Sequence, residues 1–168
     1  MNCLKAGGGK FSFQLERSEK RLLFQVLRAY PLIPIAHHRL SKSEENRENQ
    51  QLLEESLAAQ RNENKKLVKM LLLAKSHFRA NKRGWRWSLK ESQLEWLLQV
   101  LNDVRVGAWL TIGSPDGQME TIAIFNEKTA PYFWAMEVSG HFQAVLLKAL
   151  DCGGTPEPEQ PGQGYTGS

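Results

Sequence analysis

The chain has 168 residues, 41% hydrophobic and 24% charged, which is ordinary for one soluble globular domain able to bury a core without covalent staples. Its two cysteines, Cys3 and Cys152, make neither a Cys-x-x-Cys pair nor a disulfide-dense pattern, so a reducing compartment is expected. The start lacks an apolar stretch of signal-peptide length, and no run approaches the roughly 20 uncharged residues needed to cross a bilayer, so the expectation is a soluble, cytoplasmic protein with no membrane partner.

In chain order, residues 1–9 end in Gly7-Gly8-Gly9 and read as a flexible N-terminus. Gly7 to Ser12 faintly suggests a phosphate loop, but the required earlier glycine is missing at Leu4 and the segment precedes a strand instead of joining strand to helix. Phe11-x-Phe13-x-Leu15 alternates as a short strand does. A helical period follows from Ser18 to about Tyr30, where Pro31 and Pro34 forbid continuation. Ser43 with Glu44 and Glu45 opens a long middle helix over 43–75, whose polar stretch 60–64 is a place where it could split in two.

Trp85-x-Trp87-x-Leu89 repeats the alternation 74 positions later, and Ser92-Gln93-Leu94-Glu95 fits a capping box at the next helix start. The repeat matches aromatics at 11/85 and 13/87, and keeps Leu15/Leu89, Ser18/Ser92, Leu23/Leu97, Gln25/Gln99, Val26/Val100 and Leu27/Leu101 identical. Ser114-Pro115-Asp116-Gly117 is a strong turn, and Thr129 caps a last helix, to Leu150, that is apolar on most sides and so buried. Half of residues 153–168 are Gly or Pro, the composition of a disordered tail. These elements predict a single helical domain over 10–152, mainly α, with a small two-stranded β ribbon. The ribbon belongs to two β-α units, joined by the long middle helix and followed by the buried last helix.

Trp87 to Ser92, Leu101-Asn102-Asp103-Val104-Arg105-Val106-Gly107, and Tyr132-x-Trp134 before the last apolar helix together resemble an uncharacterised bacterial family, domain of unknown function number two-thousand-and-seventeen. The likeness covers about two-thirds of the chain and is clearest from Trp85 to Gly113. It implies a mainly helical bacterial cytosolic protein with no assigned activity. In some members the gene lies near an adaptor of the Clp protease, which implies a link to protein quality control. The family's Gln-Glu pair midway along the last helix is replaced here by Ser139 and Gly140.

The polar motif of that run is Asn102, Asp103 and Arg105, with Glu137 as a partner. Winding the helix at about 100° per residue puts Arg105 among Leu94, Leu101, Ala108 and Ile112, where a guanidinium must find a carboxylate, carbonyls or a cleft to solvent. A paired core arginine that docks the last helix is the expected role, and an anion clamp the alternative. Asn102 and Asp103 point away from the centre of the stripe.

The net charge of +4 is concentrated between residues 61 and 90, which hold ten basic residues against Glu63 alone. Lys65, Lys66, Lys69, Lys75, Arg79, Lys82, Arg83 and Arg86 make that segment a surface for an anionic partner. Phe78, Trp85 and Trp87 invite RNA or DNA binding by stacking, yet period two puts Trp85, Trp87 and Leu89 on one face, which is more simply core. His37, His38, His77 and His141 lack metal-ligand spacing, Glu137 and His141 form an ordinary i, i+4 pair, and no nucleophile stands beside a base in sequence. A non-catalytic interaction or scaffolding domain without cofactor or metal is expected. Nucleic-acid binding and an enzyme of unknown reaction are the alternatives.

Overall fold

A computed structural model of the chain describes residues 1–32, 47–73, 77–115 and 122–153. The elements are β1 (Asn2–Gly7), β2 (Lys10–Leu15), α1 (Arg17–Arg28), α2 (Arg47–Leu73), β3 (Phe78–Asn81), β4 (Gly84–Lys90), α3 (Glu91–Thr111) and α4 (Ala130–Gly153). The two aromatic strands of the repeat, β2 and β4, pair as expected, and the pairing is antiparallel. Their register puts Phe11 opposite Leu89, Phe13 opposite Trp87 and Leu15 opposite Trp85. Phe13 and Trp87 are themselves equivalent positions of the repeat, so a pseudo-two-fold axis passes through this pair.

The expected two-stranded ribbon is corrected to a four-stranded antiparallel sheet in the order β1-β2-β4-β3. A two-stranded ribbon would leave the outer edge of both β2 and β4 without backbone partners, and each is closed by a hairpin. Residues 1–9, expected to be a flexible N-terminus, form β1 and its turn. Gly8 and Gly9 take φ of +59° and +67°, both turn positions in the left-handed region that a tight hairpin favours and that glycine enters without a steric penalty. In the other half the turn is Lys82-Arg83, held by the Asn81 Oδ1 atom accepting the Arg83 N–H at 2.9 Å. The duplicated unit is therefore a β-hairpin followed by a helix, one strand longer than a β-α unit.

Both helix starts repeat as well. The Glu16 N–H donates to Glu19 Oε2 at 2.8 Å, and the Lys90 N–H donates to Gln93 Oε1 at 2.9 Å. Each bond satisfies one orphan donor, and the pairs lie 74 positions apart. The caps thus sit two residues before Ser18 and Ser92, where sequence reading places them. At its far end α3 closes with a Schellman pair, Gly113 N–H to Leu110 O at 3.2 Å and Ser114 N–H to Trp109 O at 3.0 Å, with Gly113 at φ +93°. Asn126, and not Thr129 alone, prepares α4: its Oδ1 accepts the N–H groups of Lys128 and Thr129 at 2.9 and 3.2 Å, while Thr129 Oγ1 takes the N–H of Asn126.

One face of the sheet carries the core. Phe11, Phe13, Leu15, Phe78, Trp87 and Leu89 are buried beneath α1, α3 and α4, and the repeat-identical Leu23/Leu97, Val26/Val100 and Leu27/Leu101 are wholly enclosed. Phe78 stacks on Trp87 at 5.3 Å between ring centroids, and Lys20 reaches from α1 over Trp85 at 3.4 Å and Phe78 at 4.6 Å. Burial pushes the Lys20 ammonium below its ordinary range, while the ring faces favour the charge and hold it there. The middle helix, expected over 43–75 and divisible at 60–64, runs unbroken from Arg47 to Leu73; Ser43, Lys75 and the tail beyond Gly153 lie outside the described residues. Among the described residues no helix is long and apolar enough to cross a membrane.

Gly84 is the tightest point of the sheet. A Cβ there would stand 2.3 Å from the Leu15 carbonyl oxygen, and its φ is +126°. Gly84→Ala should therefore lower stability by about 2–3 kcal/mol, while Gly8→Asn, at an open left-handed turn position, should cost less than about 1 kcal/mol. Urea midpoints of the two variants check this; an unchanged midpoint for Gly84→Ala would contradict the β2–β4 register.

Candidate functional site

The strands alternate, so burying one face of the sheet commits the other to solvent. Its side chains are Lys10, Ser12 and Gln14 from β2, Arg86, Ser88 and Lys90 from β4, Arg79 and Asn81 from β3, and Lys5 from β1 opposite Ser12. The basic residues among them are all exposed, and the Lys82-Arg83 turn extends the field beyond the sheet. No strand contains an Asp or Glu; the adjoining acids, Glu16 and Glu91, stand at the starts of α1 and α3. Two like-charge pairs face each other directly across strands, Lys10 with Lys90 and Arg79 with Arg86. Such pairs are destabilising in a sheet, so this face is arranged for something other than its own stability.

The polar residues between the cations are ordered. Gln14 and Asn81 exchange two hydrogen bonds, at 2.8 and 3.2 Å, across the space left by Gly84, and Ser12 Oγ lies 3.4 Å from Ser88 Oγ near the pseudo-axis. The face is cationic and rich in neutral donors and acceptors. It bears no aromatic ring, because Phe11, Phe13, Phe78, Trp85 and Trp87 all belong to the opposite face.

Of the residues singled out from sequence, Arg79, Lys82, Arg83 and Arg86 come together on the β3–β4 hairpin. Lys65, Lys66 and Lys69 are exposed but belong to α2, and Lys66 is spent on a solvent-exposed pair with Glu63 at 3.4 Å. The segment 65–90 is therefore a helix and a hairpin, with the basic sheet face on the hairpin alone. Lys90, the last of the ten basic residues counted between 61 and 90, joins the hairpin residues there, and Lys5 and Lys10 complete that face from outside the segment. Their signal was present: Lys5 and Arg79 are equivalent positions of the repeat, and Lys10 and Lys90 continue the outward alternation of β2 and β4.

Arg105 is corrected. It is exposed, and not planted among the leucines of the core. The buried arc of α3 runs through Leu94, Leu97, Val100, Leu101, Val104, Gly107 and Ala108, so at about 100° per residue Arg105 stands roughly 90° from its centre. It lines an open groove of about 220 Å³ with Met136, Glu137, Gly140 and His141, and forms no ion pair with Glu137. Gly140 leaves the groove open beside the guanidinium: a Cβ there would lie 4.0 Å from Arg105 Nε.

Asn102 and Asp103 line a smaller polar cleft of about 180 Å³ with Tyr30, Gln60, Arg61, Asn64 and Gln99. Its floor is a hydrogen-bonded chain joining three helices: Trp96 Nε1 donates to Asn64 Oδ1 at 2.9 Å, Asn64 Nδ2 donates to the Tyr30 hydroxyl at 3.4 Å, and Asp103 faces that hydroxyl. Burial pushes the Tyr30 hydroxyl above the usual tyrosine range. Asn64 is a polar residue enclosed to 94%, and the chain satisfies both ends of its amide, so it docks α2 on α1 and α3. Among the described residues no group of three or more His, Cys, Asp or Glu is placed to hold a metal ion.

No protein-family model, curated protein or solved structure matches the chain.

Replacing Asn64 by Leu leaves the half-buried Trp96 indole N–H and the buried Tyr30 hydroxyl without that partner. A loss of about 1–3 kcal/mol in urea unfolding is expected, with a smaller loss for Tyr30→Phe, which removes one end of the chain. Equal midpoints for wild type and Asn64→Leu would show that α2 is held by its apolar contacts alone.

Proposed function

We propose that the protein is a non-catalytic interaction domain whose outer sheet face docks an acidic protein surface. The observation that carries this is the pair of cross-strand like-charge contacts, Lys10–Lys90 and Arg79–Arg86, on a sheet face that no described element covers. A partner bearing carboxylates would relieve both repulsions at once, turning a defect of the free protein into complementarity in the complex. The ordered Gln14–Asn81 pair and the Ser12 and Ser88 hydroxyls offer the neutral hydrogen bonds that such a rim uses. On the family resemblance, that partner belongs to bacterial protein quality control.

Binding of single-stranded RNA or DNA is the weaker reading of the same face. Its affinity depends on aromatic rings that stack on bases, and every aromatic residue of these strands points into the core.

Labelled polyglutamate and mixed-sequence single- and double-stranded oligonucleotides, titrated at low and at moderate salt, test the proposal. Polyglutamate should bind more tightly than either nucleic acid, and Arg79→Glu with Arg86→Glu should weaken it about tenfold. Tighter binding of nucleic acid, lost with steep salt dependence, would replace the acidic protein by a nucleic acid as partner. The same face makes a second prediction in the free protein: Arg86→Gln should raise stability by about 0.3–0.5 kcal/mol, because it removes a like-charge pair. Thermal unfolding at low salt reads this, and the gain should shrink as salt is added.

A further inference from the structure

The strand β1 ends the sheet, pairing with β2 on one side only, so its far edge meets no strand among the described residues. Beside it lies α4. Between them runs a groove of about 610 Å³, walled by residues 1–6 on the strand side and by His141, Val145, Lys148, Ala149 and Cys152 on the helix side. Asn2, Cys3, Leu4 and Lys5 are all exposed, Leu4 at 48%, which is high for a leucine in a strand. The helix wall is built of small apolar side chains at its base, with His141 and Lys148 exposed at its rim, and among the described residues no Asp or Glu lines the groove.

An unpaired strand edge facing a helix across a gap is the setting in which an extended peptide adds as a new strand. The main chain bonds to the edge, and alternate side chains face the helix and the solvent. The edge is also guarded. β1 carries a bulge between Cys3 and Lys5, a device that discourages indiscriminate pairing, so selection of what docks falls to the helix wall and its charges. Those charges are cationic, from Lys5 and Lys148, and the exposed His141 imidazole adds a hydrogen-bonding group beside them.

We propose that the β1–α4 groove captures an extended acidic peptide segment as a fifth strand of the sheet. Its alternate apolar residues lie against Val145 and Ala149, and its carboxylates face Lys148, His141 and Lys5. This site meets the outer sheet face at Lys5 alone and uses a different kind of contact: the face takes a charged surface, while the groove takes a main chain.

The two cysteines of the chain, Cys3 and Cys152, stand on opposite walls of the groove and report its occupancy. Burial pushes the Cys3 thiol above its ordinary range, so alkylation is best followed at mildly alkaline pH. The probe is a labelled synthetic peptide of alternating Glu and Val. It should bind by fluorescence anisotropy and slow alkylation of both cysteines several-fold. The alternating Lys and Val peptide should not bind, and the Glu and Val peptide N-methylated at alternate residues should lose binding, because it lacks the main-chain donors.

Lys148→Glu, a change on an exposed helix position, should weaken the Glu and Val peptide about tenfold. Arg79→Glu with Arg86→Glu should leave the peptide's protection of both thiols unchanged, which separates this site from the outer face. Equal binding of the N-methylated peptide, or binding that leaves both thiols as reactive as before, would overturn the proposal, as would the absence of binding by the Glu and Val peptide.

Discussion

The contact between Phe13 and Trp87 is the constraint on which the rest of the structure depends. The two side chains are equivalent positions of an internal duplication, they face each other across the central strand pair, and both are fully buried with ring centroids 6.0 Å apart. A one-residue slip there would turn every inward aromatic of β2 and β4 to solvent, so the pair locks the register of the whole sheet. The hairpins, the helix caps and the buried faces of α1 and α3 then follow in duplicate, each half placed by the same axis.

Duplication also decides what is left over. Three helices cover one face of a four-stranded sheet, and the other face is left to strands without a single carboxylate. Only Lys5 and Arg79, on the two edge strands, are basic at equivalent positions of the repeat; the facing pairs Lys10–Lys90 and Arg79–Arg86 come from the strand register and not from the duplication. The edge strand β1 keeps its free side beside α4. Both proposed binding surfaces are thus consequences of one architectural fact: a sheet layered on one side only has a face and two edges to dispose of.

Helix α2 follows a different logic. It has no counterpart in the repeat and is docked by polar chemistry, the chain from Trp96 through Asn64 to Tyr30. That chain occupies the polar stretch 60–64, which looks like a break in sequence because a buried asparagine cannot be told from a solvated one until its partners are known. Tyr30 lies at the end of α1 and Trp96 in α3, so two partners distant in sequence convert an apparent weak point into an anchor. Arg105 shows the converse. Helical winding counted its apolar neighbours correctly, but the centre of the buried arc is set by where the sheet and α4 approach α3. That approach is displaced toward Val100 and Val104, and it leaves the guanidinium outside.

The amino-acid sequence alone determined the repeat, the two aromatic strands, their following helices and the concentration of positive charge, because each is written in local periodicity or composition. It also held, unread, the hairpin partners and caps at the same 74-residue offset: Ala6 with Ala80, Lys5 with Arg79, and Glu19 with Gln93. Tertiary structure alone decided that the basic residues of β3 and β4 join Lys5 and Lys10 on one face while those of α2 do not. It alone decided, too, that Asn64 is buried and Arg105 is not, and that β1 stands across a groove from α4. These are relations between elements far apart in the chain, set by which faces pack together, and no local pattern carries that information.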